Sequence, residues 1–496
     1  MTGGASIYVI GCDVGTQSTK AILLDEEGRV VARAAHGYGT TYPAAGWAEQ
    51  DPRDWDRALA TVVREVVEIA AIPPGEVIAL AVAAQVDGIV AVDAAGEPLA
   101  PAPIWMDRRA VAETRELVDG VGVETIRAIT GLNPDASHGA PKAAWLRRSI
   151  QEPIAAYLVP AAYLVGRLTG ERVMDQANAS CLLLYDITAR DWSPVLLDAM
   201  ELEASSLGEV RLATDFAGTL RPAAAAALGL EPGCRVAVGT GDEHAACVAA
   251  GVLRPGIVCD IAGTAEPVAA ASEAAIIDPE GLVETHAHVP SDRWLVENPG
   301  FVSAGSVRWL AESVFGCSQE EVLALAADAP PGSAGVLFLP ALSGSVTPRW
   351  NEDARASFSG LAIGQDRRHL ARAVIEGCAF ALRDIVGRLA ALGLAGDTIR
   401  VVGGSARNRL GLQIRADVTG SRIEVLSEPE ATAFGAGLIA ATAAGWFADL
   451  DEAAAATLRL AGDPIVPEPP DQAIYEDAYR RYRATYDALE PTFGAA

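Results

Sequence analysis

One unit occurs twice in this chain, in opposite halves. The first copy is Tyr8-Val9-Ile10-Gly11-Cys12-Asp13-Val14-Gly15-Thr16-Gln17-Ser18-Thr19-Lys20, an apolar β-rich run that ends in an acid and passes at once into a small-residue turn. The second is Gly256-Ile257-Val258-Cys259-Asp260-Ile261-Ala262-Gly263-Thr264-Ala265. Another apolar run follows each copy, Ala21 to Leu24 and Pro267 to Ala271. The repetition predicts two strand–turn–strand hairpins in a duplicated α/β domain, with two Gly-Thr turns facing one ligand across a cleft. Gly15 lets the backbone approach a ligand, and Thr16, Ser18 and Thr19 offer donors. Asp13 stands where a divalent cation could be held beside a polyphosphate. For either copy alone, an ordinary hairpin with a polar tip is the competing reading.

A chain of 496 residues is too long for one core. Domains usually run to about 100–200 residues, so two large or three ordinary ones are expected. The net charge of -27 argues against nucleic-acid or anionic-membrane binding, which needs clustered Lys and Arg. No apolar run reaches the roughly 18 residues of a membrane span, and no secretory leader is evident, so a cytoplasmic protein is expected. Cys12, Cys181, Cys234, Cys247, Cys259, Cys317 and Cys378 are scattered without a Cys-x-x-Cys pair, which suits buried small hydrophobes in a reducing compartment. His286 and His288 alternate along an expected strand but have no Cys or acid cluster nearby, so no metal role is assigned to them. Lysine occurs only at Lys20 and Lys142, each followed by Ala, which excludes a Walker-type loop and singles out Lys20 beside the first turn.

Residues 7 to 34 read as three strands. Asp51-Pro52 starts a helix to about Ala71, with Asp51 as cap and Trp55, Leu59, Val62, Val66 and Ile69 facing inward. Val77 to Ala83 and Ile89 to Val92 read as buried strands, and residues 139 to 235 as mostly helical. A strand from Arg235 to Val238 enters Gly241-Asp242-Glu243, and a small-residue helix follows from Ala245. Leu370 to Leu392 is a long amphipathic helix. Ile399 to Val402 enters Gly403-Gly404-Ser405-Ala406-Arg407-Asn408 before a helix from Arg409 to Val418. Ala431 to Ala444 is a helix fit for close packing. Tyr475, Tyr479, Tyr482 and Tyr486 recur every three or four residues, the mark of a docking face.

Two of these segments carry chemistry. Asp242, in a small-residue setting at a strand end, can project into a cleft and take a proton from a hydroxyl, or merely cap the next helix. The Gly-Gly turn can hold phosphate or a nucleoside at a helix N-terminus. Its spacing is not that of a dinucleotide fingerprint, which disfavours a dehydrogenase.

The chain resembles the FGGY family of carbohydrate kinases, and xylulokinases most. The resemblance spans Ile7 to about Leu489. It rests on Asp13-Val14-Gly15-Thr16, Gly46-Trp47-Ala48-Glu49-Gln50-Asp51-Pro52, Ile104-Trp105-Met106-Asp107-Arg108-Arg109, Gly241-Asp242 and Gly263-Thr264. Phe338-Leu339-Pro340-Ala341-Leu342-Ser343-Gly344, Glu376-Gly377-Cys378-Ala379-Phe380 and Gly403 to Asn408 extend it. Any one of these is weak; in this order and spacing they are specific. The resemblance implies the actin-like ATPase (ribonuclease H-like) fold, with two duplicated domains, 1–246 and 247–496, around a deep cleft. It implies ATP and Mg2+, with Asp13 at the metal and Asp242 as base for the substrate hydroxyl. Thr16 and Lys20 would belong to the first phosphate loop, Gly263 and Thr264 to the second, and Gly403, Gly404, Ser405 and Asn408 to the nucleoside site.

Departures fall where a sugar would bind. After Gln85, xylulokinases commonly carry Met-His-Gly, whereas this chain has Val86-Asp87-Gly88. The acid is more like glycerol kinases, as is the Trp-x-Asp-Arg-Arg pattern at 105 to 109, and Ser345 stands where glutamate is common. Gln85, Asp87, Trp105, Asp107 and Glu243 are the candidates for reading substrate hydroxyls, since a carboxylate can accept from two vicinal ones. The expected partner is a small sugar or polyol, and a homodimer is an admissible assembly. The expected activity is ATP-dependent phosphorylation of a ketopentose such as D-xylulose, with ribulose, erythritol or glycerol as alternatives. An actin-like ATPase scaffold is the reading from another class. Trp105 and Gly241-Asp242-Glu243 disfavour it, because a pure ATPase needs no hydroxyl base.

Overall fold

The computed structural model describes residues 7–494. In the N-terminal half, β1 (Tyr8–Val14), β2 (Ser18–Leu24) and β3 (Val30–Gly37) form an antiparallel meander. Helix α1 (Pro52–Ala70) then crosses to β4 (Val77–Ala84), which pairs parallel with β1. Asp51 caps α1 by accepting from Arg53 N, and Pro52 takes the first turn, where its missing N–H costs nothing. The helix buries Trp55, Leu59, Val62 and Val66 as expected, but Ile69 is 62% exposed. Ala58, Val63 and Val67 are buried instead, so the apolar stripe turns away before the last turn. β5 (Phe216–Thr219) and β6 (Arg235–Ala237) extend the sheet, in the order β5-β6-β4-β1-β2-β3, and Thr240–Gly241 also pairs parallel with β4.

The chain then passes through the short α2 (Asp242–Ala249) and repeats the plan. β7 (Gly256–Ile261), β8 (Ala265–Ser272), the edge strand β9 (Glu284–Ala287) and β10 (Trp294–Val302) are antiparallel neighbours. After the long α3 (Arg367–Ala391), β11 (Ala395–Val402) pairs parallel with β7. After α4 (Arg409–Thr419), β12 (Arg422–Val425) pairs parallel with β11, giving the order β9-β10-β8-β7-β11-β12. Three antiparallel strands and two parallel ones therefore recur in both halves, with β5 and β9 as further antiparallel edge strands.

Helix α5 (Ala431–Ala443) and α2 lock the halves together. α5 lies on β1 so closely that a Cβ at Gly11 would meet the Ala433 carbonyl at 2.0 Å, and one at Gly435 would meet the Ala245 carbonyl of α2 at 1.8 Å. Their apolar faces share one core with Val9, Ile22 and Ala81 of the first sheet and Cys259, Ala269 and Ala271 of the second. The expected division at 246/247 falls inside α2, at this junction. The final helix α6 (Pro469–Leu489) buries Tyr475, Tyr482 and Tyr486, with Tyr482 against Phe380 of α3. Among the described residues, no helix is long and apolar enough to cross a membrane.

Candidate active site

The two hairpin turns and the Gly-Gly turn enclose a cavity of about 780 Å³ between the halves. Gly15 N closes the first turn onto Ser18 O at 3.1 Å. That turn is held from three sides: Tyr38 donates to Gly15 O (2.5 Å), Gln50 Nε2 to Thr16 O (2.6 Å) and Trp105 Nε1 to Thr16 Oγ1 (2.8 Å). In the second, Gly263 N donates to Ala265 O at 3.1 Å, and Ser303 N to Thr264 O at 3.1 Å. Gly403 takes φ +92° with its α-carbon against Ala262, where a side chain would be strained. Ser405 N then donates to Ala262 O at 3.0 Å, tying the third turn to the second. Asn408 caps α4 by accepting from Gly411 N. Asp13, Thr16, Lys20, Gly263, Thr264, Gly404, Ser405 and Asn408 all line the cavity, whereas Gly403 is not part of its lining.

Asp13, at the end of β1, lies 4.0 Å from Lys20 Nζ, and Lys20 pairs with Glu430 at the foot of α5 at 2.7 Å. Burial pushes Asp13 up to about 7; Lys20 opposes the shift, and the negative charge of Asp242 adds to it. Asp242 is pushed up to about 6, again mainly by burial. It is the first residue of α2, whose N-cap is Gly241, and its carboxylate accepts from Glu243 N at 3.0 Å. It is therefore not the N-cap residue, although its carboxylate takes up a free N–H of the first turn. The mutual repulsion of Asp13 and Asp242 is of the kind a divalent cation relieves.

On the acceptor side, Asp87 lies in the loop after β4 with φ +59°, an uncommon conformation for a residue with a side chain. Lys142 Nζ donates to its carbonyl at 2.8 Å and to Ile104 O at 2.7 Å, and a third bond goes to Ser137 O. His138 Nδ1 stands 3.3 Å from its carboxylate. Glu243 is pushed well above the ordinary carboxylate range by burial and by Glu297 of β10. Glu297 is held low, at about 2, by His286, whose Nε2 is 3.1 Å away, despite its burial. Glu243 and Glu297 meet in a side-chain hydrogen bond, so part of Glu243 is engaged inside the protein.

Two of the candidates are bonded inside the protein, although Gln85 Oε1 is buried without a hydrogen-bond partner among the described residues. Asp107 is fully buried and its carboxylate is filled, accepting from Ala48 N at 2.6 Å and from Arg109 Nε and an Arg109 terminal nitrogen. Its carboxylate is thus engaged in an internal ion pair, with Arg109 also pairing Glu49 at 2.7 Å. Gln85 is 1% exposed and donates to Gln50 at 2.9 Å, bracing the residue that holds the first turn. Sequence reasoning missed His138, Lys142, Glu284, His286 and Glu297. Of these, the scarcity of lysine was the one available signal, for Lys142.

A cavity bounded by three glycine turns, with the cation Lys20 and the carboxylate Asp13 in its lining, fits a nucleoside polyphosphate; Asp242 is outside the lining but close enough to Asp13 to raise it. Among the described residues no three metal-ligating side chains converge. The donor set therefore suits a cation held by one carboxylate, phosphate oxygens and water, as Mg2+ is. Fold and site define a two-domain nucleotide-dependent phosphotransferase. The N-terminal domain of the FGGY family of carbohydrate kinases matches residues 8–249 and the C-terminal domain residues 260–444. The chain is 32% identical to the xylulose kinase of Escherichia coli K12, over 84% of this chain and 85% of that one. It is 34% identical to the glycerol kinase of Gloeobacter violaceus, over 92% of each. Among solved structures, the xylulose kinase of Rhodospirillum rubrum superposes with a TM-score of 0.85 at 29% identity, covering 98% of this chain and 99% of that one. The chain belongs to the FGGY family of carbohydrate kinases. It is an ATP-dependent sugar kinase with the actin-like two-domain fold.

Proposed function

We propose that the chain transfers the γ-phosphoryl group of ATP to a terminal hydroxyl of a ketopentose such as D-xylulose, with Asp242 as the base. The observation that carries this is the position of Asp242, half-buried in the first turn of α2 and beside the Val86–Asp87 loop. Phosphoryl transfer asks for in-line positioning, charge neutralisation and exclusion of water more than for covalent help. Asp242 takes up the hydroxyl proton as the new bond forms. Lys20, Thr16 and the Gly263-Thr264 turn hold the phosphates, and Gly403 to Asn408 the nucleoside. Asp13 would hold Mg2+, which supplies charge neutralisation on the phosphate oxygens when bound. The segments 1–246 and 247–496 act as the two bodies that close over the cleft, with α2 at their junction.

A second reading, another ketose or a polyol such as ribulose, erythritol or glycerol, is favoured by Asp87, an acid where xylulokinases commonly carry histidine. Coupled ADP-release assays across pentuloses, hexuloses, tetritols and glycerol separate the two. D-xylulose should be among the best acceptors on the first reading and a poor one on the second; stimulation by none would overturn both. Asp87→His should re-rank the acceptors while the KM for ATP stays nearly constant. A large loss of ATP affinity with an unchanged ranking would show that Asp87 does not face the acceptor.

A further inference from the structure

His138 is buried, at 4% exposure, between the Asp87 loop and the edge strand β9 of the other half. Its Nδ1 lies 3.1 Å from the Cys181 carbonyl and 3.3 Å from Asp87 Oδ1. Its Nε2 lies 3.1 Å from the Asn133 carbonyl and 4.0 Å from Glu284 Oε1. Every one of these partners accepts. A neutral imidazole carries one N–H and one lone pair, so either tautomer would aim its lone pair at a carbonyl oxygen. Both nitrogens are satisfied only when both are protonated.

We propose that His138 is a buried imidazolium that positions Asp87, and through it decides which acceptor alcohol the kinase takes. The proposal rests on the reading that Asp87 faces the acceptor. Asp87 is held in its left-handed conformation by two cations at once, Lys142 on its carbonyl and His138 on its carboxylate. A strained residue gripped from both ends is over-determined, as residues that must present a group in one direction are. The charges around the ring agree. Asp87 faces it from the loop after β4, Glu284 from β9, and Asp135 from its own loop, where Asp135 also pairs with Arg108. Lys142 stands on the far side of Asp87, and His286 lies near Glu284. Burial opposes the ring's charge, but the three acids outweigh it and push His138 up to about 9. Glu284 accepts from Asn133 N at 2.7 Å, so the same ring also joins the acceptor loop to the C-terminal half.

The test is a double-mutant cycle of His138→Gln and Asp87→Asn, assayed with the best acceptors of the wild type. His138→Gln should raise the acceptor KM by at least about tenfold, more than it lowers kcat, with the KM for ATP little changed. In the Asp87→Asn background the same change should cost less than about threefold, because the partner it acts through is gone. Both single variants should shift the ranking of acceptors in the same direction. Equal costs in the two backgrounds, or a uniform fall in kcat with a lowered Tm, would mean that His138 only supports the fold, and would overturn the proposal. Long-range proton–nitrogen correlation spectra of 15N-histidine-labelled protein, assigned by difference with His138→Gln, give an independent readout. Both ring nitrogens should show imidazolium shifts at neutral pH; a neutral-tautomer pattern overturns the proposal whatever the kinetics. If the wild type releases no ADP with any acceptor, the kinase reading fails on that assay, and the spectra alone decide the state of His138.

Discussion

The β1–β2 and β7–β8 hairpins share one plan and put their acids to opposite uses. In the first, Asp13 stands two residues before Gly15 and lines the cavity. In the second, Ala262 is inserted, so that Asp260 stands three residues before Gly263. Side chains alternate along a strand, so one added residue sends the acid to the other face if the turn stays fixed. Asp260 is fully buried, with Glu266 and Arg415 as its neighbours: Arg415 lies 3.1 Å from Asp260 and 2.6 Å from Glu266. Burial and the negative charge of Glu266 raise Asp260 well above the ordinary range. Duplication thus supplied two glycine turns and two acids, of which one lines the cavity and the other is part of the core.

The largest expected effect breaks that comparison on activity. Asp13→Asn and Asp242→Asn should each lower turnover by at least about 10²-fold, within the range of about 10²–10⁴ for a positioned acid–base group. Asp260→Asn, an equally isosteric change, should cost less than about tenfold. ATP should still bind to Asp242→Asn by calorimetry, since the Gly263-Thr264 and Gly403–Asn408 turns are untouched. Equal losses at Asp13 and Asp260 would mean that the second hairpin's acid also serves the chemistry. Asp242→Asn retaining more than about a tenth of wild-type turnover would place the base elsewhere.

The next effect is on stability. Arg415→Met removes the one cation between Asp260 and Glu266 and leaves two buried acids facing each other. Removing one partner of a buried ion pair typically costs about 3–5 kcal/mol, because the remaining charge keeps its desolvation penalty. Urea titration should show that loss. The matching change in the first hairpin, Lys20→Met, should cost less than about 1 kcal/mol, since Lys20 is about a third exposed and water screens its pairs. A similar loss at both positions would remove the distinction between a solvated and a buried acid cluster.

What was legible in the sequence followed its locality. The hairpins and the Gly-Gly turn are contiguous segments, and each brings its own glycines and hydroxyls, so their gathering around one cavity could be anticipated. The duplication itself was legible for the same reason, though the order and direction of the strands were not. The acceptor side was not. His138, Lys142, Glu284 and Glu297 reach it from a helical insertion and from two strands of the other half, and none sits in a recognisable pattern. Asp107, read as a substrate contact, has its carboxylate engaged by Arg109 two residues away, a pairing that the local spacing did not reveal. Ile69 misled because helical periodicity does not say where the neighbouring sheet ends.

The smallest expected effect concerns the price of keeping Asp242 ready to take a proton. Its carboxyl titrates at about 6 in the fold, against an ordinary value of 3.8. The folded state therefore holds a proton through a window where the unfolded chain has lost it. Below the ordinary value both states are protonated, and this group adds no penalty. As pH rises through the window stability falls, and above about pH 6 the penalty is constant, at up to about 3 kcal/mol. Asp242→Asn cannot ionise, so it escapes the penalty. The variant should be more stable than wild type at about pH 7.5, and the advantage should vanish by about pH 4. In the wild type, kcat/KM should fall on an acid limb near the same value, since only the ionised carboxylate can act as base. Thermal melts of both proteins across that range decide the matter. If the Asn variant is the less stable at high pH, the bonds that Asp242 accepts outweigh its burial, and its carboxylate is a structural anchor that also faces the cleft.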